Sequence, residues 1–195
     1  MPDAQTLAVY AAKVEDYAAF PISETQERSL ARFLEGLPAG ASLLDLGCGP
    51  GLQAARMVAA GHSVSAIDAA PEFVEAARAR GVAARVAGFD DLTEVQAYDG
   101  IWASFSLLHA PRYALPGYLS AIARALKPEG RLFLGMKLGQ GEERDAMGRF
   151  YAYFSEEELR GHVEAAGLRV THAETGAEVG LAGNLDPFLL IFADA

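Results

Sequence analysis

The chain has 195 residues, which is enough for one α/β domain with a sizeable core but short for two. Its hydrophobic content of 51% argues against a disordered chain. The net charge of -10 disfavours nonspecific binding to nucleic acid or anionic membranes, because both require a basic surface. We therefore expect a small-molecule partner, no nucleic acid and no membrane.

The sequence also bears on location and redox chemistry. It shows no basic segment followed by an apolar stretch at its N-terminus, and no window approaches about 18 uninterrupted apolar residues. These features predict a cytoplasmic protein. Cys48 is the only cysteine, so an intrachain disulfide and a cysteine-rich zinc site are excluded. No metal site is predicted, and Cys48 is interpreted as a small packed residue rather than a reactive thiol.

The first 38 residues are predicted to be helical. An alanine-rich stretch is expected to form a flap that carries three aromatic residues and is closed by a proline: Tyr10, Tyr17, Phe20 and Pro21. Ser23 to Gln26 then fits a capping box, and apolar residues follow at helical spacing until the break at 38–40. This pattern predicts a second helix that leads into the core, which is expected to span residues 40–195.

From residue 40 onward, short apolar runs alternate with helical patterns. The predicted elements are strand Ser42–Leu46, helix Leu52–Ala60, strand Ser63–Asp68, helix Pro71–Ala79, strand Ala84–Ala87, a short turn near Asp91, strand Gly100–Ser104, helix Pro116–Leu126, a break at 127–130 and strand Arg131–Lys137. Short apolar strands between helices are typical of parallel strands buried on both faces. Five consecutive strand-helix units predict a doubly wound α/β sheet.

The last third departs from this alternation. The polar segment 138–149 has no clear periodicity, and Ser155 to Glu158 is expected to cap a helix that reaches Ala166. Two further strands, near Leu168–Ala173 and Pro187–Ala193, bring the predicted sheet to seven strands. We expect residues 1–195 to form a single domain.

The most informative segment is residues 43 to 51, Leu-Leu-Asp-Leu-Gly-Cys-Gly-Pro-Gly. Glycines allow the backbone to approach a nucleotide-like ligand closely. Dinucleotide folds use G-x-G-x-x-G, but here Leu52 stands at the last glycine position. Asp45 would repel a pyrophosphate but can accept hydrogen bonds from an ammonium group. Asp68 ends the next strand, where its carboxylate can hold vicinal ribose hydroxyls.

These residues resemble the class I S-adenosylmethionine-dependent methyltransferases. The first motif of that family ends a strand with an acidic residue followed by G-x-G-x-G, and Asp45 through Gly51 match it without a gap. The resemblance implies a Rossmann-like methyltransferase fold, S-adenosyl-L-methionine as cofactor and a sheet that ends with an antiparallel strand. The segments 98–111 and 137–150 are similar to a subgroup of small methyltransferases that includes tellurite-resistance-like proteins.

The resemblance also implies a set of cofactor-binding residues. The adenine is expected near Phe89 and one of two neighbouring carboxylates, Asp90 or Asp91, although Asp91 has the alternative role of capping a short helix. The complete predicted set is Tyr10, Tyr17, Asp45, Gly47, Cys48, Gly49, Gly51, Asp68, Ala69, Phe89, Asp90, Asp91 and Ser104. The two tyrosines are expected to close over a sulfonium cation, with helix packing as the alternative.

The predicted acceptor side of the cleft follows the fourth and fifth strands. The candidate substrate-binding residues are Trp102, His109, Lys137 and Arg149. His109 is a candidate general base because imidazole titrates near neutral pH, with a structural role as the alternative. The basic residues of segment 137–149, which include Arg144, are expected either to hold an anionic substrate and order a lid, or to pair with neighbouring carboxylates.

The sequence therefore predicts in-line methyl transfer from S-adenosylmethionine to a small nucleophilic acceptor. Two other functions stay open: a noncatalytic cofactor-binding or assembly subunit, and a nicotinamide-dependent oxidoreductase, which Asp45 and Leu52 disfavour. The Asn-Pro-Pro-Tyr motif of DNA amino-methyltransferases is missing, which counts against a nucleic-acid base as substrate. A monomer or a homodimer is expected.

Overall fold

The computed structural model describes residues 3–19, 22–180 and 183–195; the predicted flap residues Phe20 and Pro21 lie outside these ranges. The N-terminal helices are α1 (Ala4–Ala11), α2 (Val14–Ala19) and α3 (Glu24–Leu34). The predicted capping box at the start of α3 is confirmed, since the side chains of Ser23 and Gln26 each accept a hydrogen bond from the other residue's backbone N–H. The helical flap is therefore two short helices, α1 and α2.

Seven strands form the central sheet and two others form a separate ribbon. In chain order the strands are β1 (Ser42–Leu46), β2 (Ser63–Asp68), β3 (Ala83–Val86), β4 (Tyr98–Ser104), β5 (Leu126–Lys137), β6 (Glu142–Arg144), β7 (Phe150–Ala152), β8 (Arg169–Val179) and β9 (Leu185–Asp194). The sheet order is β3-β2-β1-β4-β5-β9-β8. Strands β1 to β5 are parallel, whereas β9 is antiparallel to both neighbours. The predicted α/β fold is confirmed.

Helices cover both faces of the sheet. The remaining four are α4 (Leu52–Ala59), α5 (Pro71–Ala79), α6 (Leu115–Ala125) and α7 (Glu156–Ala165). Successive residues of β4 enter opposite cores, since Trp102 packs with residues of α3, α4 and α5, while Ile101 and Ala103 pack with residues of α6 and α7. This two-sided burial explains why the strands are almost continuously apolar in sequence.

Two predicted details differ from the structure. Strand β5 begins at Leu126, because residues 127–130 form an excursion within the strand, with a positive φ of 64° at Glu129. The short turn predicted near Asp91 is present as a 3-10 turn at Phe89–Asp91, and it takes the place of an α-helix in the third strand-helix unit. The unperiodic segment after β5 contains β6, which pairs with β7 in the separate ribbon. A three-residue strand is too short for its alternation to be recognised in sequence.

Candidate active site

A cavity of about 330 Å³ opens at the carboxyl ends of β1 and β4, where the strand order reverses. Ligands of open α/β sheets bind at this switch point. The cavity wall includes residues of the flap, the glycine loop and the β7 strand. It brings together most of the predicted site residues: Tyr10, Tyr17, Asp45, Gly47, Cys48, Gly49, Asp68, Ala69, Phe89, Trp102, Ser104, His109, Lys137 and Arg149.

Gly49 and Gly51 of the glycine loop have different structural roles. Gly51 has a φ of +79°, and a Cβ there would lie 2.6 Å from the Cβ of Ala77 on α5. Gly51 therefore packs the loop against a helix and is not among the cavity-lining residues, contrary to its predicted cofactor contact. At Gly49 a Cβ would meet nothing within 4 Å, so the backbone there faces open space in the cavity. A ligand can approach the main chain at this point.

Asp68 is held rigidly at the end of β2. Its Oδ2 accepts a hydrogen bond of 2.8 Å from the backbone N–H of Gly49, and its Oδ1 accepts one of 2.9 Å from Ala70. Each carboxylate oxygen keeps a further lone pair. The side chain therefore ties the glycine loop to β2 and can still accept hydrogen bonds from two neighbouring hydroxyl groups.

Asp45 lies at the base of the cavity beside Trp102, its register partner on β4. Burial, followed by the nearby charge of Asp68, raises the pKa of Asp45 to about 8. Two cavity-lining side chains hold buried polar atoms that lack hydrogen-bond partners within the described ranges, Nε1 of Trp102 and Oε1 of Gln53. The cavity thus offers a hydrogen-bond donor and an acceptor without partners, together with the buried carboxyl group of Asp45. These groups suit a ligand that carries both an ammonium and a carboxylate.

The carboxylates predicted near the adenine do not line the cavity. Asp91 accepts a hydrogen bond of 2.8 Å from the backbone N–H of Gly88, and Asp90 accepts one of 3.1 Å from the hydroxyl of Tyr118 on α6. Neither is among the residues that line the cavity, whereas Gly88 and Phe89 are. The side chain of Asp91 folds back to the residue before the 3-10 turn that it ends. Asp91 therefore has a capping role, but it caps its own turn rather than a helix after it, which was the alternative that the sequence offered.

His109 also lines the cavity and is buried, in a 3-10 turn at Leu107–His109. Its Nδ1 lies 2.7 Å from the carbonyl oxygen of Phe150. A carbonyl can only accept, so Nδ1 carries the hydrogen and Nε2 presents a lone pair. The hydroxyl of Tyr10, on the flap, donates to this Nε2. The pKa of His109 is lowered to about 4, chiefly by burial and further by the positive charges of Arg149 and Lys137.

Arg149 forms a buried ion pair with Asp145, in which the side chains are 4% and 8% exposed. Its Nε donates a hydrogen bond of 2.8 Å to the carboxylate, and another guanidinium nitrogen donates to the hydroxyl of Tyr17 on the flap. The predicted pairing with an acidic neighbour is thus present, but it is buried at the cavity rather than at the surface. Arg144 instead pairs with Asp3 outside the cavity.

Lys137 ends β5 and also lines the cavity. Its Nζ lies 2.6 Å from a carboxylate oxygen of Asp186 on β9 and 4.1 Å from the ring centroid of Tyr151. Tyr151 lines the cavity on β7 and was not predicted from sequence. The sequence held one signal for Tyr151, which is its spacing of two residues from Arg149. Residues two apart on a strand share a face, but β7 was not recognised as a strand from sequence.

The remaining predicted residues have simpler surroundings. Ser104, Ala69 and Phe89 line the cavity, and Cys48 is buried with its Sγ donating to the carbonyl of Gly49. Burial raises the pKa of the Cys48 thiol, which suits a packed residue better than a reactive one. No helix among the described residues is long and apolar enough to cross a membrane, and no group of three or more potential metal ligands occurs there.

The fold and this cavity define a Rossmann-like α/β protein with a nucleotide-type site. A family model described as a methyltransferase domain matches residues 22–173, more than three quarters of the chain. The chain belongs to this family, among the class I S-adenosylmethionine-dependent methyltransferases. Its cofactor is therefore S-adenosyl-L-methionine. The tellurite-resistance-like subgroup stays a prediction.

Curated relatives match about half of the chain. A ubiquinone biosynthesis O-methyltransferase of Xanthomonas oryzae pv. oryzae (strain PXO99A) is 40% identical over 104 residues, which are 49% of this chain and 43% of the relative. The protein of the same description from Xylella fastidiosa (strain 9a5c) is 38% identical over 103 residues, 49% of this chain and 41% of the relative. Each match thus covers less than half of the relative's length.

Solved structures resemble the chain over nearly its whole length. The 1,6-didemethyltoxoflavin-N1-methyltransferase of Burkholderia thailandensis, solved with S-adenosylhomocysteine, has a TM-score of 0.77 at 24% identity and covers 98% of this chain and 87% of its own. A putative methyltransferase of Haloferax volcanii, solved with the Trm112 activator, has a TM-score of 0.78 at 20% identity, with coverage of 97% and 96%. A [4+2]-cyclase reaches 0.74 at 20% identity, with coverage of 99% and 96%. At these identities the likeness concerns the fold.

Proposed function

We propose that the protein transfers the methyl group of S-adenosylmethionine to an acidic hydroxyl group of a small acceptor, and that cofactor and acceptor bind in the same cavity. The observation that carries this proposal is a single cavity lined by two chemically different groups of residues, Asp45 and Asp68 in one and the Tyr10–His109 pair in the other. We refer to the two groups as the cofactor end and the acceptor end of the cavity. The curated O-methyltransferase relatives support oxygen as the acceptor atom.

The first end of the cavity fits the cofactor. Asp68 would hold the ribose hydroxyls, the backbone at Gly49 would face the nucleoside, and Asp45 would face the ammonium group. The orphaned Nε1 of Trp102 suits the carboxylate of the same amino acid part, so we assign Trp102 to the cofactor end rather than to the acceptor. When bound, S-adenosylmethionine supplies an electrophilic methyl group.

At the second end, Tyr10 and His109 define a route for a proton. His109 carries its hydrogen on Nδ1, and its Nε2 is occupied by the Tyr10 hydroxyl. A proton from an acceptor hydroxyl would therefore pass to the Tyr10 oxygen as the Tyr10 hydrogen moves to Nε2. Tyr10 becomes the residue that touches the acceptor, and His109 acts through it.

The electrostatics of this pair limit which hydroxyl can react. The pKa of His109 is lowered to about 4, so its imidazole is a weak base. An acceptor with an ordinary alcohol would be a poor match, whereas an enol or an acidic phenol loses its proton readily. In-line alignment in the enclosed cavity then supplies the remaining acceleration.

A transfer assay with labelled S-adenosylmethionine tests the proposal. Wild-type protein is expected to label acidic phenols and enols in preference to aliphatic alcohols, amines, thiols, tellurite and selenite. Calorimetry with S-adenosylhomocysteine and NADH runs in parallel, and binding of NADH alone would overturn the assignment. Cofactor binding without transfer to any member of the panel would favour a noncatalytic protein. A [4+2]-cyclase has the same fold, so the fold by itself does not establish methyl transfer.

A further inference from the structure

The acceptor end of the cavity has an uneven arrangement of charges. Lys137 and Arg149 line the cavity, whereas their ion-pair partners, Asp186 and Asp145, are not among the lining residues. A molecule that enters therefore meets the two cations before it meets the carboxylates behind them. This is unexpected in a chain with a net charge of -10.

The neutral groups around these cations are hydrogen-bond donors. Tyr17 and Tyr151 line the cavity, and burial raises the pKa of each phenol, so both keep their hydrogens, whereas the hydrogen of Tyr10 is already donated to His109. A phenol that keeps its hydrogen can donate to an anion. Cations and phenols together make this end of the cavity suited to an oxyanion.

Of the two cations, Lys137 is the better placed to hold a ligand. The guanidinium of Arg149 already donates hydrogen bonds to Asp145 and to the hydroxyl of Tyr17. Arg149 therefore contributes positive charge and positions the Tyr17 phenol. The ammonium of Lys137 has three donors, and its ion pair with Asp186 joins it to one carboxylate oxygen, at 2.6 Å. Because the ammonium has three donors, it can also donate to an anion in the cavity that it lines.

We propose that the methyl acceptor is a small organic anion whose carboxylate or phosphate group is held by Lys137. This inference rests on the proposed function, because it names the substrate class of the same site. Aromatic side chains enclose the rest of this space, including Phe73, which packs 5.5 Å from the ring centroid of Tyr10. The site therefore favours a compact acceptor with an apolar body and one oxyanion.

Calorimetry with simple probes tests the anion site without a known acceptor. Protein saturated with S-adenosylhomocysteine is titrated with benzoate, with its neutral analogue benzamide and with phenyl phosphate. We expect benzoate or phenyl phosphate to bind more tightly than benzamide, and the stronger of the two distinguishes a carboxylate from a phosphate acceptor. Equal binding of all three, or binding of none, would overturn the proposal.

Substitutions at the ion pair should have opposite effects. Lys137→Gln removes the ammonium and should weaken binding of the anionic probe about tenfold or more. Asp186→Asn removes the competing carboxylate and should tighten it. A purely structural ion pair would give a loss in both variants, which would contradict the proposal.

The same strand supplies the matched control. Lys127 lies at the other end of β5 and pairs with Asp99 at 2.8 Å, so Lys127→Gln breaks a similar ion pair far from the cavity. It should leave probe binding unchanged, and an equal loss in both lysine variants would overturn the role of Lys137. The double variant Lys137→Gln/Asp186→Asn avoids an unpaired carboxylate and should still lose the preference for benzoate over benzamide.

Separate measurements test the anion site and the proposed function. Titrating the probes into protein without S-adenosylhomocysteine measures the anion site directly. Failure of S-adenosylhomocysteine to bind would contradict the proposed function, while the probe titration alone decides whether the cavity recognises an anion.

Discussion

Asp68 illustrates how a residue at a strand end serves both structure and ligand. Its two carboxylate oxygens accept hydrogen bonds from Gly49 and Ala70, which fixes the glycine loop against β2. The sequence predicted a ribose contact here from the spacing to the loop alone. It did not predict that the same oxygens would already be anchored by the backbone, because that depends on how the loop turns.

Asp68→Ala should weaken binding of S-adenosylhomocysteine by about 10² to 10⁴, since two charge-assisted hydrogen bonds of about 1.5–3 kcal/mol each are lost. Calorimetry measures the change, with circular dichroism to confirm the fold. Asp91→Ala is the control, because Asp91 itself does not line the cavity. A larger loss in the control would restore Asp91 as the adenine contact.

Among the secondary-structure elements, the flap determines whether the site is closed. Helices α1 and α2 reach the core through Tyr10, bonded to His109, and Tyr17, bonded to Arg149. The rings of these tyrosines also contact each other and Phe73 on α5. The flap therefore closes the acceptor end with the same side chains that are proposed to contact the acceptor.

Tyr10→Phe should loosen the flap while keeping the ring contacts. It leaves the buried Nε2 of His109 without its donor, which costs about 1–3 kcal/mol. Hydrogen exchange of α1 is expected to accelerate accordingly. Tyr113→Phe is the control, because Tyr113 is 86% exposed. Unchanged protection of α1 in Tyr10→Phe would show that ring packing alone holds the flap.

At the scale of the whole molecule, two buried groups couple stability to pH in opposite directions. Asp45 has its pKa raised from 3.8 to about 8, so its contribution to stability is lost as pH rises through that range. His109 has its pKa lowered from 6.5 to about 4, so its contribution is lost as pH falls through that range. The two slopes oppose each other below pH 6.5, and the contribution of His109 no longer changes above it.

The free energy of unfolding of the ligand-free protein should therefore fall between pH 6.5 and pH 8. Asp45→Asn should reduce this decline, as measured by urea denaturation across the range. Asp99→Asn serves as control, since the hydrogen bond from Lys127 lowers the pKa of Asp99 and keeps its titration outside the range. An equal decline in Asp45→Asn and wild type would contradict the assignment.

The sequence by itself determined the succession of strands and helices along the core, the glycine loop and the positions of Asp45 and Asp68. These follow from local periodicity and from the rule that parallel strands end at one edge, so no distant contact is needed to predict them. Only the tertiary structure paired Tyr10 with His109, 99 residues apart, placed Asp186 behind Lys137, and turned Asp90 toward α6. Side-chain partners depend on how separate elements pack, and a 3-10 turn or a three-residue strand leaves too little periodicity to reveal them.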